Sequence, residues 1–241
     1  ADERTKRAVR AEWEGNNGVS FEHQSYLAFL TMVQGGGGEK FWTDSEVFRC
    51  GPGNQALAMM LAGALGSRVR MRSPVASIVR GGRAVMVTTV DGRRYTAEDV
   101  VLTAPPSCWE NIHFTPALPA ELRPQMGTVV KYLSAVRRRY WKDAHLSADS
   151  ETDGDVSMTW DATEGQGGDN DGAELTAFSG GPAAEHVRAR MPADRHDFYE
   201  RELEKIYPGY AKNFVASRFM DWPADPFTLA GYSFPAPRRS E

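Results

Sequence analysis

The sequence predicts a mixed α/β fold of the α+β kind, on two observations. Short segments rich in β-branched residues recur between glycine turns, from Ser73 to Thr103 and again from Thr128 to Phe178. Apolar residues at helical spacing mark separate segments before, between and after them, and no internal repeat is present.

Taken in chain order, the spacing first predicts a helix over Ser20 to Val33, because Tyr26, Leu27, Phe29, Leu30 and Val33 fall on one side; Gly35 to Gly38 ends it. The turn Gly51-Pro-Gly53 leads into a helix from Gln55 to Leu65 with Asn54 as its cap. Val69 to Ser73 reads as a strand. Val75 to Val79 is the next strand and passes through the Arg80-Gly-Gly-Arg83 turn into alternating Val85, Val87 and Thr89, where Asp91-Gly92 makes a hairpin turn. Val100-Val-Leu-Thr103 is a continuous apolar run, the pattern of a strand buried on both faces, and Pro105 and Pro106 stop it by removing two backbone donors.

Beyond a short connection over Ala120 to Gly127, Thr128 to Val136 reads as a strand. Val156 to Trp160 should pair with Glu174 to Phe178 after a turn at Asp153-Gly154. Pro182 to Arg190 and Ala193 to Tyr207 are helical, with Phe198, Leu203 and Ile206 apolar, and Pro208-Gly209 ends the second. A strand from Ala216 to Met220 then leads into Asp221-Trp222. The change from β-rich 67–119 to mixed 120–220 puts a boundary near Pro105 to Pro119, which gives expected domains of 1–110 and 111–241.

Composition removes several function classes. With 28 basic and 32 acidic residues the net charge is -4, and no long Lys/Arg block exists, so nucleic acid is not an expected partner. Arg137-Arg-Arg139 reads as a solvated strand end. No apolar stretch reaches the roughly 20 residues of a membrane span, and the N-terminus lacks a signal-peptide core, so a soluble chain is expected. Cys50 and Cys108 are too few for a disulfide scaffold and favour a reducing, cytoplasmic setting. His23, His113, His145, His186 and His196 show no metal spacing and no nucleophile partner. Asp169-Asn-Asp-Gly172 lacks the spaced oxygen ligands of a calcium loop and reads as a polar turn. Gly51-Pro-Gly53-Asn-Gln-Ala56 satisfies Gly-x-Gly-x-x-Ala in form, yet it follows the mostly polar Asp44 to Cys50 and not a buried strand, so it reads as a turn.

The ordered set of segments resembles the central portion of the flavin-dependent amine oxidases, the group of monoamine, polyamine and L-amino-acid oxidases. The segments are Gly51 to Gly53, Ala56 to Gly66, Pro74 to Ile78, Val85 to Gly92, Val100 to Pro106, Ile112 to Pro119, Gly127-Thr-Val-Val-Lys131, Tyr140-Trp141, Asp221-Trp222 and Gly231-Tyr232. No one motif is specific, but their order is.

The resemblance implies a helical entry segment and partial FAD-binding layer in the first domain and a mixed-sheet substrate domain flanked by helices in the second. It implies FAD as cofactor, and oxidation of an amine or amino acid with oxygen as the final acceptor. It makes Lys131 the catalytic lysine that holds a water beside the flavin N5; strand parity alone leaves it facing inward or outward, and without the resemblance it would read as a solvated lysine, since lysines are rarely buried unpaired. The backbone of Val75 would hold the adenine, Ala104 and Pro105 would lie near the flavin, and Trp222 would pack beside its ring. Tyr232 would wall the substrate cavity, with Phe41 and Trp42 at its entrance. Gly231 stands where some relatives carry a cysteine bonded to FAD, which implies a noncovalent flavin. The family's opening Gly-x-Gly-x-x-Gly and its closing FAD segment are not found, so a second polypeptide supplying the pyrophosphate site is one expectation. Two alternatives stand beside the oxidase: a catalytically inactive fragment or split-oxidase subunit, and another flavoprotein such as a protoporphyrinogen oxidase or carotenoid desaturase. Lys131 and the pair Trp222 and Tyr232 favour the amine reading.

Overall fold

The computed structural model describes residues 2–44 and 47–237, without the side chain of Trp42. The chain divides into two compact units, residues 27–123 and residues 1–26 with 124–241.

The first helix, α1 (Glu3–Asn17), was not foreseen, because its largely charged sequence carries no apolar stripe. Its ends define it: Thr5 N donates to the Asp2 carboxylate at 2.7 Å, and Gly18 closes it at φ 69°. The expected helix from Ser20 begins later, as α2 (Tyr26–Gly35), because a 3₁₀ turn at Phe21–His23 ends in the extended backbone of Gln24. Its supposed inner side is open, with Tyr26, Leu27 and Leu30 all exposed. A short α3 (Lys40–Thr43) precedes α4 (Gln55–Leu65). Asn54 occupies the cap position of α4 but makes no side-chain capping bond, since its own backbone is already helical (φ -61°, ψ -26°). Leu57, Met59, Met60, Leu61 and Leu65 are exposed, so α4 offers apolar surface on several sides.

Residues 27–123 also hold a four-stranded sheet of β1 (Val75–Gly81), β2 (Ala84–Thr89), β3 (Arg94–Ala97) and β4 (His113–Thr115), in the order β3-β2-β1-β4. Only β4 runs parallel to its neighbour, β1. Two expected strands are absent. Val69 to Ser73 has no ladder, and Val100 to Thr103, expected to be buried on both faces, leaves Val101 85% exposed. The apolar run needs a neighbour on each side, but β1 has already taken β2 and β4.

The other unit is built on five antiparallel strands: β5 (Val129–Val136), β6 (Ser150–Glu151), β7 (Met158–Asp161), β8 (Ala173–Gly180) and β9 (Phe214–Asp221), ordered β6-β7-β8-β5-β9. Helices α5 (Pro182–Arg188), α6 (Arg195–Ile206) and α7 (Tyr210–Asn213) lie between β8 and β9 in sequence. Strand parity sorts β5 into two sets. Val130, Tyr132 and Val136 join a core with Val187, Tyr199, Leu203, Tyr207 and Tyr210; Tyr132 and Tyr199 stack at 4.4 Å. Lys131 and Leu133 face the other way and are half-buried.

At its C-terminal end α1 presses on β8, where a Cβ added to Gly180 would overlap the Gly15 carbonyl. Gly180→Ala should therefore destabilise the unit by about 2–3 kcal/mol through forced displacement of α1, read from the urea midpoint; an unchanged midpoint would show that α1 yields freely.

The reading of Arg137 to Arg139 as a solvated strand end is corrected at Arg139, which is 4% exposed. Its Nε donates to Asp161 Oδ2 at 2.7 Å, and its Nη atoms donate to the carbonyls of Gly168 (2.7 Å), Thr163 (2.7 Å) and Gln166 (2.9 Å). The following polar turn is tied down as well, with Lys142 Nζ donating to Asp169 Oδ1 at 2.5 Å.

Candidate functional site

Lys131 is the centre of the ring-lined face of the five-stranded sheet. Register puts it opposite Phe178 on β8 and Met220 on β9. Its Nζ lies 5.0 Å from the Trp160 ring centroid, 5.7 Å from that of Trp222 and 5.8 Å from that of Phe178. Each ring presents π density to the ammonium, an attraction that strengthens as water is excluded. Tyr232 extends the wall, its ring stacked on Phe178 at 6.2 Å and 26°, and it stays 48% exposed.

Trp222 and Tyr232 are the two ends of one loop. At the first end β9 stops at Asp221, and Trp222 opens a 3₁₀ turn with Pro223. Asp225 then orders the middle by accepting from Phe227 N at 2.8 Å. At the far end Gly231 N donates to the Gly127 carbonyl at 2.7 Å, and Gly127 N donates to the Tyr232 carbonyl at 2.6 Å. That pairing seats Tyr232 beside the start of β5. It also brings Gly231 so close that an added Cβ would overlap Val129, which leaves no room for a cysteine side chain without rearrangement. On the opposite face, burial pushes the Tyr132 hydroxyl pKa up, and this hydroxyl lies 2.5 Å from His196 Nδ1.

Of the residues expected at the site, the structure thus gathers Lys131, Trp222 and Tyr232. Val75, half-buried, opens β1 just before a register shift. The carbonyl of Ala104 accepts from Trp109 Nε1 at 2.9 Å and that of Pro105 from Cys108 N at 2.9 Å, so both belong to a closed turn. Phe41 is half-buried on α3, and the Trp42 side chain lies outside the described residues. All five belong to residues 27–123. Gly53 sits at φ 90° in a turn, and residues 47–50 form no strand. Sequence reasoning missed Trp160 and Phe178 as ring neighbours of Lys131, although it paired their strands; the signal was the register that sets Phe178 across from Lys131.

A separate cleft of about 300 Å³ lies between α1 and the Thr152–Asp155 turn. Its polar side chains are mutually occupied, Arg7 with Asp153 (3.6 Å), Arg10 with Glu14 (3.3 Å) and His186 with Asp155 (3.0 Å), and it is remote in character from the ring-lined face.

A flat heteroaromatic group that gains negative charge on reduction fits this donor set: ring faces to lie against and one ammonium for the developing charge. Comparisons with known proteins agree in kind. The family model described as flavin containing amine oxidoreductase matches residues 3–241. A flavin-containing amine oxidase of Oncorhynchus mykiss is 32% identical over 124 residues, 48% of this chain and 24% of that protein. Flavin-containing amine oxidase A of Sus scrofa is 29% identical over 43% of this chain and 21% of its own length. Cyclohexylamine oxidase from Brevibacterium oxydans shares the fold, with TM-score 0.84 and 21% identity over 99% of this chain and 55% of that one. The chain therefore spans about a quarter of the curated relatives named here and about half of the structural one. No helix among the described residues is long and apolar enough to cross a membrane.

Proposed function

The chain belongs to the family of flavin-containing amine oxidoreductases, and from that premise we propose that it forms the central, substrate-facing portion of an FAD-dependent oxidase of amines or amino acids. The carrying observation is the Lys131 ammonium held among Trp160, Phe178 and Trp222, with Tyr232 continuing the wall. Bound FAD would supply the acceptor for two electrons from the amine-bearing carbon and would hand them to oxygen.

The protein's own residues have the remaining work. Lys131 holds a water and places positive charge where negative charge develops. Trp222 would flank the flavin ring, noncovalently held given the crowding at Gly231. Tyr232 and Phe178 keep water from the reacting carbon and guide an amine by their ring faces. In this proposal Val75, Ala104 and Pro105 serve the cofactor side and Phe41 and Trp42 the substrate entrance, with residues 1–110 on the flavin side and 111–241 on the substrate side. The ring-bound ammonium favours an amine oxidase over a protoporphyrinogen oxidase or carotenoid desaturase. Two free cysteines support a cytoplasmic setting.

A second reading rests on α4, whose exposed leucines and methionines favour a chain that works only when further polypeptide, carrying the pyrophosphate-binding motif, covers it. The visible absorption spectrum of the natively purified chain tests both. A flavin band bleached by amines supports the oxidase directly. A colourless chain that acquires the band only when joined to that further polypeptide supports the second reading, and a joined protein that no amine bleaches refutes the oxidase.

A further inference from the structure

We propose that Asp221 is a positioning residue for Trp222, and through it for the ring-lined face around Lys131. Asp221 is the last paired residue of β9, opposite Val130 of the core, so it points toward the helices while its neighbours Met220 and Trp222 belong to the other face. There its carboxylate accepts from Arg188 Nε at 2.7 Å and lies 3.7 Å from Arg195 Nη1, with its side chain only 14% exposed. Arg188 closes α5 and Arg195 opens α6. Arg195 is itself fixed, since its Nη2 donates to the Arg188 carbonyl at 3.0 Å and its guanidinium lies over the Phe219 ring at 4.6 Å. One peptide link then separates this clamp from Trp222, and any rotation at Asp221 swings the indole relative to Lys131.

Ion pairs of this depth add little net stability, because desolvation offsets attraction, so their plainer consequence is a fixed geometry. The hydrogen bond to α5 and the ion pair to α6 fix where β9 ends, and the 3₁₀ turn begins from that fixed point.

This inference rests on the oxidase reading, and its test separates the two. In the full-length, FAD-loaded protein, Asp221→Asn should lower kcat about tenfold with KM changed less than about twofold, because the loss falls on alignment and not on binding. In a Trp222→Phe background the same substitution should change kcat less than about twofold, since residues acting as one unit are non-additive. Independently of turnover, the Trp222 emission, taken as parent minus Trp222→Phe, should shift in Asp221→Asn and be partly restored in Asp221→Glu. Arg188→Gln serves as a second probe if Asp221→Asn does not fold, with the same expected shift. Additive losses, or an unmoved Trp222 emission, would overturn the proposal. A parent that no amine bleaches defeats the oxidase reading alone, and the emission measurement still decides the role of Asp221.

Discussion

Arg139→Met should destabilise the 124–241 portion by about 3–5 kcal/mol, the cost of leaving a buried charge without its partner. Asp161, 8% exposed at its side chain, would keep its bonds from Thr163 but lose the guanidinium. Three carbonyls, of Thr163, Gln166 and Gly168, would lose a donor together. Arg139→Lys should recover only part of the loss, because an ammonium cannot reach those acceptors in a planar fork. Replacing both partners with apolar residues, Arg139→Met with Asp161→Leu, should do better than Arg139→Met alone. Urea denaturation of the three variants checks the order. A loss below about 1 kcal/mol for Arg139→Met would mean the loop finds other donors.

Lys131→Met in the complete, FAD-loaded protein should slow reaction of the reduced enzyme with oxygen about 10²-fold, the scale of losing one preorganised charge in a water-poor site. Methionine, unbranched and one atom shorter, keeps an apolar stem beside Trp160, Phe178 and Trp222 while removing the ammonium that lies over their rings. Amine binding should therefore change far less than reoxidation. Stopped-flow mixing of the reduced protein with oxygen measures the first and titration under nitrogen the second. Equal reoxidation rates in parent and variant would take Lys131 out of the chemistry.

The sequence displayed β5, β7 and β8, and the pairing of β7 with β8, plainly, because β-branched alternation and glycine turns are local signals. It did not display α1, whose helical state comes from two caps and a glycine pressed on β8 and not from an apolar stripe. Val100 to Thr103 misled for the opposite reason. Its apolar character is local, but a strand exists only if others lie beside it. Arg139 looked solvated inside a basic triplet, since the carbonyls that bury it come from a loop more than twenty residues away. The site was half legible. Family resemblance pointed to Lys131, Trp222 and Tyr232, whereas Trp160 and Phe178 required the registers of β7 with β8 and of β8 with β5, which hydrophobic pattern cannot supply.

The alternation along β5 has an evolutionary side. Tyr132 and its core neighbours are answerable to folding, while Lys131, Leu133 and the facing Met220 are answerable to whatever molecule comes to the rings. Selection can thus revise the second set while the first stays still, so a lineage could change what this face accepts by exchanging Leu133 or Met220 without passing through unfolded intermediates.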